Sequence, residues 1–376
     1  MTRGRAARAR GAVLFGATLA ACGAAETVPP TVTDASTWVA VGTASPDSNG
    51  ETPEWRVSWQ DGETGLALEA TASPFACFQL DELADDAGHV FVGPPEWGPF
   101  CDNCEERVSA AAGGGLFVLP SRAGAFRPSK SLGFRFGLRD CDTLTEVDPA
   151  SPSVTLTVRA KPLFSTPSRG VVPLRLFVTP ASVFYDASAS PSLEGVLGAI
   201  AAELSPAHLT TQMVEVVRLP AGAPSDAAFS RADPSALSAL LPKKTSGAPA
   251  VPVVLAGCLR LSDSVLGTVT EPEGYTPHIP GGAGPADAVF IHGSVCGAPT
   301  PVPVAWSATA LARVAAHEIG HYLGLYHSVE ADGTTDRLDD TDQNNLMYFR
   351  PSDATSTGLS AEQREVLRRH PVVASE

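Results

Sequence analysis

No stretch of this 376-residue sequence is apolar for the roughly 20 residues that a membrane-spanning helix needs; the best candidate, GAVLFGATLA at 11–20, is far shorter. An excess of positive charge is missing too. With 26 Lys and Arg against 41 Asp and Glu the formal net charge is −15, which argues against nucleic acid or anionic lipid headgroups as electrostatic partners. Glycine (34) and proline (33) stay below the combined level of about 25–30% that marks disordered chains, and 44% of residues are hydrophobic. The chain therefore folds, and its length suits two domains. It carries no EF-hand spacing and no feature that fixes an oligomeric state.

What it does contain is an eleven-residue stretch of metal-binding side chains, HEIGHYLGLYH, from His317 to His327. On a helix, residues four apart leave one face about a turn apart, so His317 and His321 can hold one ion. Glu318 sits beside them. A third ligand on the same unbroken helix would miss the ion, because His327 would lie about 9 Å further along the axis, against a zinc–nitrogen bond of about 2.0–2.1 Å. Gly324 resolves this, since a residue without a Cβ can take the left-handed conformation that ends a helix and turns the chain back.

The N-terminus reads as an export leader. Residues 1–10 carry four arginines and no acid, a short apolar run follows, and Leu19, Ala20, Ala21 and Cys22 resemble a bacterial lipobox. That resemblance implies cleavage after residue 21, lipid on Cys22, and a membrane partner reached through that lipid, with the outer membrane or cell surface favoured. Residues 22–37 form the lipidated N-terminus and tether. From 38 to 161, short alternating runs such as TWVAVG, EWRVSW, LGFRFGL and SVTLTVRA predict an all-β, sandwich-like domain, an accessory or a pro-domain. Six cysteines remain once Cys22 is set aside, an even number that suits disulfides in an oxidising compartment. If bridges stay within domains, Cys258 pairs with Cys296, and Cys77, Cys101, Cys104 and Cys141 allow three connectivities. The CDNC pair of Cys101 and Cys104 also has a metal or redox reading, without the βαβ context of a thioredoxin.

A second domain spans 169–376. The sequence predicts strands at 171–179, 210–220, 251–259 and 286–293, and helices at 191–204 and around 234–241. The helix carrying His317 is capped by Ser307 or Thr309. SAEQREVLRRH near the end carries a Ser360–Gln363 capping-box pattern. Strands alternating with helices imply a mixed sheet with helices on it, an α/β (α+β) arrangement.

Two motifs in this half, HEIGHYLGLYH and NNLMYF from Asn344 to Phe349, resemble those of metzincin zinc metallopeptidases. The resemblance implies one catalytic Zn²⁺ on His317, His321 and His327, Glu318 as general base, and Met347 in a turn that floors the site. It also implies a protein or peptide substrate lying along an antiparallel edge strand, for which ADAVFIHG is the candidate. The subfamily stays open: Ser328 excludes the acidic residue of the astacin and adamalysin groups, Phe349 stands where some members carry a tyrosine ligand, and LDDTDQNNLM bears a distant likeness to pappalysins. Tyr348 is not counted as a ligand, and His278 and His292 read as structural, while His89, His208 and His370 lack ligand spacing. Asp332, Asp336, Asp339, Asp340 and Asp342 offer oxygen ligands of the kind Ca²⁺ takes, and equally the solvated charge of an acidic loop. The sequence thus predicts a lipid-anchored zinc endopeptidase. The other reading is an inactive or self-processing surface lipoprotein whose β-domain binds protein or glycan.

Overall fold

The computed structural model describes residues 37–376, apart from 94–104, 148–152, 187–191, 243–247, 299–301, 305, 331–332, 334, 337, 339–340, 342–343 and 352–357. Cys22, Cys101, Cys104, Asp332, Asp339, Asp340 and Asp342 lie outside the described residues.

Nine strands make the first unit: β1 (Val39–Ala44), β2 (Trp55–Ser58), β3 (Gly65–Ser73), β4 (Cys77–Asp85), β5 (Val90–Val92), β6 (Ala111–Ala112), β7 (Gly114–Leu119), β8 (Ser131–Arg139) and β9 (Thr155–Leu163). They form two antiparallel sheets, β1-β9-β3-β7 and β2-β8-β4-β5, with β6 added to β4. Period-two alternation builds them: along β9, Leu156, Val158 and Ala160 are buried while Thr157 and Arg159 face out. Inward residues of both sheets share one core. At its centre the rings of Phe78, Phe117, Phe134 and Phe136 meet at 5.3–6.5 Å, and each buried phenylalanine contributes about 1.5–3 kcal/mol. A disulfide joins Cys77 to Cys141, one of the pairings open in the sequence.

The second unit follows with β10 (Gly170–Val178), α1 (Leu193–Leu204), β11 (Leu209–Arg218), β12 (Ala227–Phe229), α2 (Ser235–Ser238), β13 (Val251–Leu255), β14 (Leu259–Asp263), β15 (Thr268–Thr270), β16 (Gly274–Tyr275), β17 (Val289–Ile291), α3 (Ala308–Tyr322), α4 (Ala361–Arg369) and β18 (Ala374–Ser375). Its main sheet runs β11-β10-β13-β17-β16. The first four strands are parallel, β16 is antiparallel, and β18 pairs with the start of β10. One face, with Leu174, Leu176, Val253, Leu255 and Ile291, packs on α1 and α3 through Val196, Ile200, Leu311 and Ala315. The opposite face, with Phe177, Val254 and Phe290, packs on Phe229, Leu237 and Leu259 from the small sheet β12-β14-β15 and its neighbouring helix.

Two expectations are corrected here. The apolar run 251–259 is not one strand: β13 and β14 belong to different sheets, because the chain bends where Asp226 Oδ1 accepts from Cys258 N at 2.7 Å. Nor is ADAVFIHG the sheet edge. Its strand β17 lies between β13 and β16, and the two-residue β16 is the outer strand. The Cys258–Cys296 disulfide is present and ties the start of β14 to the loop after β17.

The two units dock through buried polar groups as well as apolar ones. Arg369, at the end of α4, donates to Pro120 O and Arg122 O at 2.7 Å and to Gly124 O at 2.9 Å. Ser109 Oγ donates to Ile279 O at 2.8 Å. Phe117 lies edge-on to His278, centroids 5.5 Å apart.

Candidate metal centre

Helix α3 starts at Ser307, whose Oγ accepts from Ala310 N at 3.0 Å, an N-cap that satisfies one of the free amides of the first turn. From Val314 on every residue of α3 is buried. The helix ends in a Schellman turn: Gly324 N donates to His321 O and Leu325 N to Gly320 O, both at 2.9 Å, with Gly324 at φ +111°. That turn brings His327 back, so that one ring nitrogen from each of His317, His321 and His327 lies within 4.8 Å of the others. The ring centroids are 4.5–5.3 Å apart.

Each ring has its Nδ1 engaged. His317 Nδ1 bonds Leu346 O at 2.8 Å, His321 Nδ1 bonds Leu325 O at 2.7 Å, and His327 Nδ1 bonds Glu330 Oε2 at 2.7 Å. Donation from Nδ1 fixes the tautomer and leaves the Nε2 lone pair as the metal ligand. Burial, with His327 nearby, pulls His317 down to about 3. Burial and the two neighbouring imidazoles hold His321 well below its ordinary value. Both rings are thus neutral at physiological pH, as metal ligands must be. The residues present fit a metal ion, since one ring nitrogen from each of the three histidines faces the same space. Among the described residues no other group of three such side chains converges. Asp336 is engaged instead with Leu338 N and Thr341 Oγ1.

The turn that carries Met347 packs against this part of α3. A Cβ at Gly320 would stand 2.6 Å from Met347 Sδ, so the sulfur touches α3 between His317 and His321. Met347 is fully buried; its N donates to Asn345 Oδ1 at 2.9 Å, and its O accepts from Ser328 N at 2.9 Å. Asn345 Nδ2 donates to Gln363 Oε1 at 2.8 Å, the same oxygen that takes Ser360 N in the capping box of α4.

Glu318 is buried, and burial raises its carboxyl to about 8 against the opposing hydrogen bond from Thr276. Thr276 Oγ1 lies 2.8 Å from Glu318 Oε2 and 3.0 Å from its backbone O. Gly274 of β16 packs on the same side chain: an added Cβ would meet Glu318 Cγ at 2.5 Å. Neither Thr276 nor Gly274 is singled out by the sequence, where GYTP carries no spacing signal. Glu330 escaped as well, although an acid three residues after a ligating histidine is a recognisable partner for its second nitrogen. His278 bonds Pro280 O at 2.6 Å in the seam between the units, and His292 accepts from Leu259 N at 3.4 Å. Both stand apart from the cluster.

Comparison with protein-family models finds no match, and comparison with curated proteins finds none either. Among solved structures, a family two carbohydrate esterase from Clostridium thermocellum in complex with cellohexaose is similar at 9% identity and a TM-score of 0.17, covering 46% of each chain. A family two carbohydrate esterase from Cellvibrio japonicus is similar at 11% identity and a TM-score of 0.15, covering 48% of this chain and 51% of that one. An acetyl xylan esterase from the rumen bacterium Butyrivibrio proteoclasticus reaches 8% identity and 0.15, over 77% and 74%. The chain thus spans about half the length of the first two. At these TM-scores the likeness carries no argument about fold or activity.

Proposed function

We propose that the chain is an extracytoplasmic zinc endopeptidase of metzincin type, with His317, His321 and His327 as ligands and Glu318 as general base. The observation that carries this reading is one joint geometry. Three imidazoles, each braced at Nδ1, converge on a point, and the residue after the first of them is a buried glutamate held by Thr276 beside the outer strand β16.

An all-histidine set suits zinc and leaves its double charge undiminished. Zinc, when bound, supplies a Lewis acid that polarises a carbonyl and acidifies water. Glu318 Oε2 is committed to Thr276, so Oε1 takes the proton of the attacking water and returns it to the leaving amine nitrogen as the peptide bond breaks. Burial favours the protonated acid; the charge of a nearby dication acts the other way and restores the carboxylate that a base requires. A peptide added to the open side of β16 as a further strand would pass over Glu318, because Gly274 already touches it. Lipid on Cys22 and a tether to residue 37 would place the enzyme on a membrane surface, and the two disulfides among the described residues suit an oxidising compartment.

The test is cleavage of a peptide library by the mature protein, with and without a zinc chelator, beside Glu318→Gln. Chelator-sensitive cleavage that falls about 10²–10⁴-fold in a zinc-retaining variant is expected. Cleavage that survives both treatments, or none with zinc supplied across pH, overturns the reading in favour of a binding lipoprotein.

A further inference from the structure

The three ligands are not braced alike. His317 and His321 sit on a buried helix and donate to backbone carbonyls, Leu346 O and Leu325 O, which the turn around Met347 and the Schellman turn hold in place. His327 lies beyond the helix, and its partner is a side chain, Glu330, itself a third exposed. A rotatable carboxylate orients a ligand only when something orients the carboxylate. That something comes from the other unit. Arg107, on the segment before β6, points Nη2 at Glu330 Oε1 at 3.4 Å, so that His327 and Arg107 grip opposite oxygens.

Arg107 is in turn held from two directions, while its buried Nε has no hydrogen-bond partner among the described residues. Its guanidinium lies 4.0 Å over the ring of Tyr326, the residue just before the third ligand. Its own N donates to Ser121 Oγ at 2.8 Å, and Ser121 Oγ donates to the buried Glu106 at 2.9 Å. Tyr326 OH donates to Ile279 O at 3.4 Å, the carbonyl that Ser109 of the β-rich unit also reaches. One cation thus clamps the segment on either side of His327, through the face of Tyr326 and the carboxylate of Glu330. Arg369 and its three carbonyl partners at 120–124 anchor the loop that carries Ser121.

We propose that Arg107 is a positioning residue for the third metal ligand, so that the β-rich unit is a fixed part of the metal centre and not a removable pro-segment. This rests on the zinc reading above. The alternative use of such a domain, covering the site until it is cut away, would leave Glu330 without Arg107 and would strip the buried Arg369 of its three carbonyl acceptors, with Glu365 as its remaining partner.

The test is zinc affinity of the full mature chain, by competition with a chromophoric chelator, together with the visible spectrum of the cobalt-substituted protein. Arg107→Ala is expected to weaken zinc about tenfold, the low end of effects from outer-shell partners, and to alter the cobalt bands. Arg107→Lys, which keeps a charge beside Glu330, is expected to recover most of both. A purely structural arginine would lower the melting temperature of the metal-free protein and leave affinity and cobalt spectrum alone, which overturns the proposal. If Arg107→Ala does not fold, Glu330→Gln carries the test: about tenfold weaker zinc is expected, and wild-type affinity refutes the relay. A wild-type chain that takes up no zinc overturns the metal centre itself, a failure distinguishable from wild-type uptake with unaffected variants.

Discussion

Adding one methyl group at Gly274 is the sharpest perturbation of the proposed chemistry, because it replaces no metal ligand and no residue of the HEIGHYLGLYH stretch and bears on that stretch through Glu318. A Cβ there would stand 2.5 Å from Glu318 Cγ, 2.9 Å from Oε1 and 3.0 Å from Cδ. Carbon atoms rest about 3.5–4.0 Å apart, so roughly 1 Å of movement is required. β16 resists moving, since it is paired with β17, and Glu273 O just before it takes His292 N at 3.0 Å. Glu318 lies in the stretch of α3 in which every residue is buried. The glutamate side chain must therefore shift, loosening its 2.8 Å contact with Thr276. Overpacking of this kind costs about 1–3 kcal/mol of stability, whereas a 1 Å misplacement of a reacting group costs about 10²-fold in rate. Gly274→Ala should thus bind a full equivalent of zinc, fold, and turn over a peptide substrate about a hundredfold more slowly, measured as kcat with metal content determined on the same sample. Undiminished kcat at full zinc content would refute the assignment of Glu318 to the reaction in the position seen here.

Two further outcomes follow from the same site. Glu318 in the metal-free fold titrates at about 8, above the ordinary glutamate value of about 4.3, so between those limits the unfolded chain binds fewer protons than the fold. Its contribution to stability is present below about pH 4.3 and lost as pH rises to 8; metal-free wild type should lose stability relative to Glu318→Gln across that window in parallel melts, and equal slopes would contradict the raised value. Gly324→Ala meets no atom nearer than 3.6 Å, so its cost is the backbone strain of a side chain at φ +111°, about 1–3 kcal/mol; denaturant unfolding with zinc titration should show lower stability and weaker zinc together, because the turn delivers His327.

What the sequence made legible was whatever repeats or caps locally. The i, i+4 histidines, the glycine that ends their helix, the Ser307 cap and the Ser360–Gln363 capping box all act within a few residues, and all stand in the structure. β9 announced itself by alternation. β16 could not, since two residues have no period. Nor could the break between β13 and β14, where the run stays apolar and the bend is imposed by Asp226, 32 residues earlier. Arg107 and Glu330 are 223 residues apart in the chain, and nothing local in either marks the other. Thr276 and Gly274 are likewise brought to Glu318 only by the sheet that β16 closes.

The turn around Met347 shows how such long-range partners divide the work at the site. Met347 is marked by its sulfur, yet the bonds that frame the turn use its backbone groups: two reach the ligands, with Leu346 O receiving His317 and Met347 O receiving Ser328 N beside His327, and within the turn Met347 N is held by Asn345 Oδ1. Asn345 is buried, and its Nδ2 fastens the turn to Gln363 at the start of α4. Met347→Leu conserves volume against Gly320 and should cost less than about 1.5 kcal/mol with zinc affinity nearly unchanged. Asn345→Ala strands the buried Met347 N–H, costing about 1–3 kcal/mol, and frees the carbonyl that orients His317. Melting temperature and zinc competition on the two variants should therefore rank Asn345→Ala as the more damaging, although Met347 is the residue the motif advertises. The opposite ranking would mean that the sulfur contact with α3, and not the hydrogen-bonded frame of the turn, sets the first ligand.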